Sequence, residues 1–252
     1  MNAAIETFNL TRDFGTFRAV DQLSLRVEAG CFYGFLGPNG AGKSTTIKIL
    51  TGLLAPTAGS VRILGEEVSD PQRALEVKRR VGAVLENLAL FDNLTAREYL
   101  TFVGRMYLLP QETVRERCDQ LLTIMELDRD EKKLTLEFSH GMKKKLALAA
   151  ALIPNPDLLF LDEPFEGVDA VASRTLRDTL KQFVKRGATV FLTSHVLEIV
   201  EKLCTDVGII AQGKLVYQGT MEAVRRDGSL EDKFLATVGN EHEPQKLSWL
   251  ET

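Results

Sequence analysis

A glycine-rich segment carries the clearest chemical pattern in the sequence. Residues 37–45 read GPNGAGKST, which fits G-x-x-x-x-G-K-[ST] with strand signals before it and helix signals after it. Glycines let backbone N–H groups wrap around phosphate oxygens, and a following helix adds the favourable potential of its amino-terminal end. In such a loop Lys43 reaches the β- and γ-phosphates, and the Ser44 hydroxyl binds Mg²⁺. The flanking strand and helix disfavour the alternative, a glycine turn without a ligand.

Two adjacent carboxylates give the second pattern. Residues 158–163 read LLFLDE, an apolar strand that ends in Asp162 and Glu163. Charges at the end of a buried strand are costly unless a cation or hydrogen bonds compensate them. Mg²⁺ beside the phosphates is the natural compensation, with Asp162 in its shell and Glu163 polarising a water. The phosphate loop upstream disfavours the alternative, a solvated acidic turn.

The surrounding elements must bring these groups together. Apolar runs at 31–36, 158–161 and 188–193 predict buried strands, and the spacing at 43–54 predicts a helix. Strand–helix alternation of this kind is typical of a mainly parallel α/β sheet. The other predicted strands are 4–10, 20–27, 58–64, 81–85, 207–211 and 214–217. The other predicted helices are 73–80, 95–108, 111–127, 141–153, 171–185 and 195–204. The helices between residues 87 and 153 form a helical lobe, which contains a charged link at 128–133.

Composition excludes several classes of function. The chain has 252 residues, is 44% hydrophobic and 26% charged, and is therefore globular in character. Its 31 basic and 35 acidic residues give a net charge of -4, so no nucleic-acid partner is expected. Three scattered cysteines suggest neither a zinc site nor a disulfide framework. Without a signal peptide or an apolar run of ~20 residues, we expect membrane contact only through a partner or a peripheral contact.

The order of the motifs resembles that of the ATP-binding subunit of an ABC transporter. The resemblance covers about residue 4 to residue 226. The family signature, usually LSGGQ, corresponds to FSHGM at 138–142. The family's D-loop aspartate corresponds to Asp169, its switch histidine to His195, its Q-loop glutamine to Glu86 and its adenine-stacking aromatic to Phe14.

The resemblance implies an architecture and an activity. The fold would be α/β, with a P-loop NTPase core of mainly parallel sheet, an antiparallel β subdomain and a helical lobe. One ABC ATPase domain would span 1–239, with its core at 1–86 and 154–239, a helical subdomain at 87–153 and a polar tail at 240–252. The activity would be hydrolysis of ATP to ADP and phosphate, coupled to a separate integral membrane permease at the cytoplasmic face of the membrane.

The resemblance also implies the site residues and a dimer. Two copies would pair head to tail, with each ATP between the phosphate loop of one and the signature of the other. Glu163 would be the general base, His195 would contact the γ-phosphate and hold Glu163 and the water, and Lys43 would assist catalysis. The implied metal ligands are Ser44, Glu86 and Asp162. The implied nucleotide contacts are Phe14, Gly37, Pro38, Asn39, Gly40, Ala41, Gly42, Lys43, Ser44, Thr45, Ser139, Gly141 and Asp169.

Two departures from the family pattern concern the nucleotide. Glu86 replaces glutamine; its carboxylate can still bind Mg²⁺ but loses an NH₂ donor and adds negative charge. We expect it to keep the metal and coupling role, the alternative being a surface acid on a loop. Phe14 replaces tyrosine and keeps the stacking face, the alternatives being a core aromatic or Phe17 in the same role.

The signature is the third departure. It has His140 for glycine and Met142 for glutamine, but Ser139 and Gly141, the phosphate-facing pair, remain. The SHGM form is similar to that of export-type bacterial members, which favours export over import. Residues 143–145 are three lysines in the first helical turn, and we expect a solvated face there because at most one can point at nucleotide.

Two other functions compete with transport. A soluble ABC-type ATPase would act without a membrane partner, although such proteins usually carry two cassettes or long insertions. A binding-only switch would hold ATP with little hydrolysis, which the presence of Glu163 and His195 disfavours.

Overall fold

The computed structural model describes residues 2–239, so the predicted tail at 240–252 lies outside the described residues. The strands are β1 (Ala3–Phe14), β2 (Phe17–Leu23), β3 (Arg26–Glu28), β4 (Phe32–Leu36), β5 (Ala58–Ile63), β6 (Glu66–Glu67), β7 (Val81–Val84), β8 (Leu158–Asp162), β9 (Thr189–Ser194), β10 (Asp206–Ala211) and β11 (Lys214–Thr220). The α-helices are α1 (Lys43–Leu50), α2 (Pro71–Arg79), α3 (Ala96–Met106), α4 (Gln111–Ile124), α5 (His140–Leu152), α6 (Ala170–Lys185), α7 (Leu197–Leu203), α8 (Met221–Asp227) and α9 (Leu230–Val238).

The strands form two sheets in the described part of the chain. The larger has the order β11–β10–β4–β9–β8–β7, in which β10 to β7 are mutually parallel and only β11 is antiparallel. The smaller is antiparallel, with the order β2–β1–β5–β6 and β3 also paired to β1. The predicted mainly parallel sheet, accompanied by an antiparallel subdomain and helices, is therefore confirmed.

Burial explains why the central strands lack alternation in their sequences. Every residue of β4, β8 and β9 is buried, as expected for parallel strands covered on both faces. On one face, the Phe191 ring packs against Tyr33, Phe35 and Phe160 at centroid distances of 5.5, 5.3 and 5.6 Å. The antiparallel sheet and α1 cover this face, and α5, α6 and α7 pack on the opposite one.

Helices α3 to α5 lie between β7 and β8 in the chain. Helix α3 begins with a capping box, in which Thr95 Oγ1 accepts from the Glu98 N–H and the Glu98 carboxylate accepts from the Thr95 N–H. Helices α3 and α4 approach closely at Gly104, where a Cβ would lie 2.7 Å from Val114 Cγ2. The division into a helical subdomain at 87–153 and a flanking core stays a prediction.

Several local predictions need correction. The single strand predicted over 20–27 is two strands, β2 and β3, which are separated at residues 24 and 25. The helix predicted from residue 195 begins only at Leu197, and the charged link contains a short 3₁₀ helix, Asp128–Asp130. Helices α8 and α9 were not predicted, although Ser229 and Asp232 form a capping box that marks the start of α9.

The hairpin between β10 and β11 has a two-residue turn. Gln212 and Gly213 join β10 to β11, with positive φ values of 49° and 79°, as a two-residue loop of type I′ requires. In the part of the chain that the structure describes, none of the helices has the length and apolar character needed to cross a bilayer.

Candidate functional site

The parallel sheet aligns the predicted chemical groups along one edge. The phosphate loop follows β4, His195 follows β9, Asp162 ends β8 and Glu86 lies two residues after β7. These four strands are consecutive neighbours in the sheet, and parallel neighbours place their carboxyl ends on the same side at a spacing of ~4.8 Å. The topology therefore gathers residues that are far apart in sequence.

The phosphate loop curls around its own lysine. Lys43 begins α1, and its Nζ donates to the carbonyl oxygens of Gly37 at 2.7 Å and Pro38 at 3.2 Å. Burial lowers the pKa of the Lys43 ammonium. The carboxylates that oppose this shift are, in decreasing order, those of Glu163, Asp162 and Glu86. The ammonium thus lies within electrostatic reach of all three predicted acidic residues.

Gly42 is required by the shape of the loop. It has a φ of +107°, and a Cβ there would lie 2.4 Å from the Ala19 carbonyl oxygen. By comparison, Gly40 has a φ of +78° but no atom within 4 Å of a Cβ. Both positions disfavour an L side chain, but only Gly42 also lacks the space for one.

Gly42→Ala is therefore expected to lower the free energy of unfolding by about 2–4 kcal/mol, from backbone strain and overpacking together. The matched control, Gly40→Ala, is expected to cost only about 1 kcal/mol because it meets strain alone. Chemical unfolding of both variants measures the difference, and equal losses would contradict the role assigned to the contact with Ala19.

A strained turn carries the carboxylate pair. Asp162 is 3% exposed and accepts a hydrogen bond from the Thr193 hydroxyl on the neighbouring strand β9. Glu163 follows with a φ of +48°, a left-handed conformation that is uncommon outside glycine. Its N–H donates to Thr193 Oγ1 at 3.2 Å. The backbone thus turns out of the sheet at Glu163 while Asp162 stays within it.

His195 lies against the Glu163 carboxylate. Its Nδ1 is 3.0 Å from Glu163 Oε2, and its backbone N–H donates to the same oxygen at 3.3 Å. The Glu163 side chain is only 15% exposed, whereas that of His195 is half exposed. One ring nitrogen is therefore engaged with the carboxylate at the mouth of the site.

A cleft of about 570 Å³ joins these groups. The residues that line it are Phe17, Ala19, Asn39, Gly40, Gly42, Lys43, Ser44, Thr45, Glu86, Glu163, Glu166 and His195. It contains the phosphate loop, the predicted metal ligands Ser44 and Glu86, and the predicted base. The structure thus brings together most of the predicted site residues, whose roles stay predictions.

The aromatic wall of the cleft is Phe17. Phe14 and Phe17 are partners across the β1–β2 hairpin, so they lie side by side. The Arg12 guanidinium lies over the Phe14 ring at 4.6 Å from its centroid. Phe14 remains a prediction for adenine stacking, while Phe17, the alternative for that role, is the one that lines the cleft.

Besides Phe14 and the loop residues Gly37, Pro38 and Ala41, three predicted nucleotide contacts on other elements do not line this cleft. Ser139 is exposed and caps α5, with its Oγ accepting from the Met142 N–H at 3.3 Å. Gly141 lies in the first turn of the same helix. Asp169 caps α6, and its Oδ1 accepts from two backbone N–H groups. These hydrogen bonds, above all that from Ala172, hold the pKa of the Asp169 carboxyl below its usual value.

The donor atoms suit Mg²⁺. Ser44, Asp162 and Glu86 offer hydroxyl and carboxylate oxygens, the ligands that this ion prefers. Among residues 2–239, no three histidine, cysteine, aspartate or glutamate side chains cluster tightly enough to hold a metal by themselves. The ion would therefore depend on phosphate and water oxygens, which is the usual mode of binding for Mg²⁺.

Lys144 is the residue that sequence reasoning missed. The expectation of a solvated face is wrong for it, since Lys144 is only 5% exposed. Its Nζ donates to the carbonyl oxygen of Glu163 at 2.8 Å and to that of Glu166. The signal was present, because residue 144 falls four and seven positions before Leu148 and Ala151, on the buried face of α5.

Known proteins resemble this chain in sequence. A family model described as ABC transporter matches residues 20–166. The bacitracin transport ATP-binding protein of Bacillus licheniformis is 40% identical over 217 residues, which cover 86% of this chain and 69% of that protein. The daunorubicin/doxorubicin resistance ATP-binding protein of Streptomyces peucetius is 38% identical, over 86% of this chain and 65% of that protein.

Solved structures of ATP-binding cassettes have a fold similar to that of this chain. The structure of an ATP-binding subunit of an ABC transporter superposes with a TM-score of 0.87 at 28% identity, covering 93% of this chain and 99% of that one. An ATP-binding cassette solved as a dimer in a post-hydrolysis state with ADP and phosphate gives a TM-score of 0.79 at 24% identity, over 86% of this chain and 98% of that one.

Proposed function

The chain belongs to the ABC transporter family, and from that membership we propose that it hydrolyses ATP to ADP and phosphate to drive export through a separate membrane permease. One observation supports the proposal above the others: the phosphate-loop cleft also holds the Glu163–His195 pair. A site built only to bind nucleotide needs the loop but not a carboxylate and an imidazole at its mouth. The relatives named for bacitracin transport and drug resistance support the coupling to export.

ATP binding follows from the loop and its helix. Backbone N–H groups of residues 37–45 and the amino-terminal end of α1 favour the phosphates, and Lys43 supplies a positive charge inside the curve of the loop. The aromatic pair of the β1–β2 hairpin offers a stacking face for the adenine. Mg²⁺, held by Ser44, Asp162 and Glu86, would neutralise charge on the phosphates.

Hydrolysis requires a base and an orienting group. In our proposal the Glu163 carboxylate accepts a proton from a water molecule. At the same time the water oxygen bonds to the γ-phosphorus, and the bond between the γ-phosphorus and the ADP oxygen breaks. His195, in contact with Glu163 Oε2, keeps the carboxylate turned towards the water and contacts the γ-phosphate. Thr193 fixes the neighbouring Asp162 by its hydroxyl.

The complete site would need a second copy of the chain. Ser139 and the first N–H groups of α5 form an exposed helix end suited to an anion, yet they do not line the chain's own cleft. In a head-to-tail dimer this end would face the γ-phosphate held by the other copy. ATP would then stabilise the dimer, and hydrolysis would release it because ADP lacks the bridging group.

The permease would dock beside Glu86. A groove of about 220 Å³ runs between the loop after β7 and helices α3 and α5. Its lining residues are Ala83, Val84, Leu85, Asn87, Leu88, Ala89, Leu90, Tyr99, Val103, Tyr107, Ala147, Ala150 and Ala151. This mainly apolar groove suits a short helix of a membrane protein, which would hold the chain at the cytoplasmic face of the membrane.

Two measurements test this function. The purified chain is expected to release phosphate from ATP only with Mg²⁺ present, which separates an enzyme from a binding-only switch. A pull-down from detergent-solubilised membranes is expected to recover a polytopic membrane protein, and its absence would favour a soluble ATPase. Phosphate release no faster than that of the Glu163→Gln variant would contradict the enzymatic proposal.

Glu86 allows a sharper test of metal binding. Glu86→Gln is expected to raise the Mg²⁺ concentration for half-maximal hydrolysis several-fold, because an amide oxygen is a weaker ligand than a carboxylate. The matched control is Glu166→Gln, which removes another carboxylate of the cleft. Magnesium titrations of phosphate release measure the change, and unchanged magnesium dependence and transport in Glu86→Gln would show that the carboxylate has no special part.

A further inference from the structure

A buried ammonium joins two parts of the chain that the proposed mechanism uses separately. Lys144 lies in α5, the helix that begins beside Ser139, and its side chain is 5% exposed. Its Nζ donates to the backbone carbonyl oxygens of Glu163 and Glu166 and lies 3.9 Å from Glu166 Oε2. Two of its three N–H donors are thus used on the turn that carries the predicted base.

Thr193 holds the start of that turn, because its Oγ1 and its carbonyl oxygen accept from the Glu163 N–H at 3.2 and 3.3 Å. Glu163 has the left-handed φ of +48°, which persists only where surrounding contacts impose it. Within the turn, the Glu166 N–H donates to the Glu163 carbonyl oxygen at a long 3.3 Å. The Lys144 Nζ donates to the same Glu163 oxygen at 2.8 Å, which is the shorter of the two hydrogen bonds. Losing a donor there would free the backbone next to the base.

The charges around Lys144 favour the same arrangement. Burial lowers the pKa of its ammonium, and four carboxylates oppose that shift. In decreasing order of effect they belong to Glu166, Glu163, Glu86 and Asp162. The ammonium therefore also offsets part of the repulsion among the acidic groups at this edge of the sheet.

We propose that Lys144 is a positioning residue that fixes the turn of Glu163 to the helix that begins at Ser139. The inference rests on the proposed function, in which Ser139 faces the γ-phosphate held by a second copy. Lys144 follows Ser139 by five residues, about 7.5 Å along a rigid helix. A displacement of the helix end on closing would therefore move the Glu163 carbonyl, so each chain would align its own base when its signature engages the partner's ATP.

The test compares Lys144→Met with Lys143→Met in the full-length chain. The second variant removes the same charge from the same helix, but Lys143 faces Asp92 at 3.9 Å and does not contact the turn. We expect Lys144→Met to lower kcat about tenfold to a hundredfold, with little change in the KM for ATP. The Hill coefficient for ATP should also fall towards one, because the two sites lose their link. Lys143→Met should keep wild-type values.

Two additions make the test decisive. Lys144→Gln keeps two N–H donors without the charge and is expected to recover part of kcat. Amide hydrogen exchange at Glu166 and Val168 is expected to be about tenfold faster in Lys144→Met than in Lys143→Met, a readout that needs no hydrolysis. Equal exchange and equal kcat in the two methionine variants would overturn the inference. So would a loss of fold and activity in both Lys144 variants, since that would make the residue a core contact only.

These outcomes differ from a failure of the proposed function. A wild-type chain that binds ATP without releasing phosphate would contradict the function, while the exchange rates would still report on the turn.

Discussion

Glu163→Gln is expected to lower kcat by about a hundredfold to ten-thousandfold, the range for loss of a general base. The amide has nearly the shape of the carboxylate and can still meet His195, but it cannot accept a proton from water. ATP affinity should change little, because the phosphate loop and Lys43 are untouched. Hydrolysis and nucleotide binding, measured on the same preparation, separate the two effects.

The same variant tests the dimer. If ATP bridges two copies and hydrolysis releases them, Glu163→Gln with ATP and Mg²⁺ should elute as a dimer while wild type returns to a monomer. Glu166→Gln is the matched control, since it removes a carboxylate from the same turn without removing the base. Wild-type turnover in Glu163→Gln would contradict the assignment of the base. A monomer whose Ser139 never approaches a phosphate would contradict the shared site.

Lys43→Met is expected to weaken ATP binding by about 2–5 kcal/mol, the cost of truncating one partner of a buried charge pair. The lower limit corresponds to about a thirtyfold rise in Kd. The ammonium lies within electrostatic reach of the carboxylates of Asp162 and Glu163, and in the proposed complex it would also face the phosphates. Its loss would therefore remove an attraction and leave repulsion between the phosphates and the carboxylates. Equilibrium titration with a fluorescent ATP analogue measures the change.

The control for Lys43→Met is Lys48→Met, which makes the same substitution at an exposed position of α1. It should bind ATP as wild type does. Lys43→Met also removes the donor to the Gly37 and Pro38 carbonyl oxygens, so thermal unfolding of both variants is needed to confirm that the loop is intact. Equal Kd values for the two variants, in folded protein, would exclude Lys43 from phosphate binding.

The core of the site could be predicted because its signals are local. The phosphate loop is a contiguous segment, and Asp162 and Glu163 end an apolar strand whose partners follow from topology rules. The strand order then sets which edge they share. The position of His195 rested on the family resemblance, since a single histidine after a strand indicates little by itself.

The missed features depend on contacts between distant segments. Whether Phe14 or Phe17 faces the cleft is decided by hairpin register and by Arg12, which the sequence alone does not specify. The solvated face predicted for Lys144 follows from the argument that at most one of three consecutive lysines can point at nucleotide, although its helix position matches the buried face. Helix α8 has seven residues and a largely polar sequence, so no clear apolar stripe marks it.

The strand order also has a consequence for how the protein is made. The strand that leads into the phosphate loop, β4, pairs with β9 and β10, both of which leave the ribosome long after the loop itself. A nascent chain that has emerged only as far as α5 exposes an unpaired, apolar β4. It still lacks the strands on either side of β4 that hold the phosphate loop in place. We therefore expect this segment to depend on chaperones during translation, and ATP capture to begin only once β10 has joined the sheet.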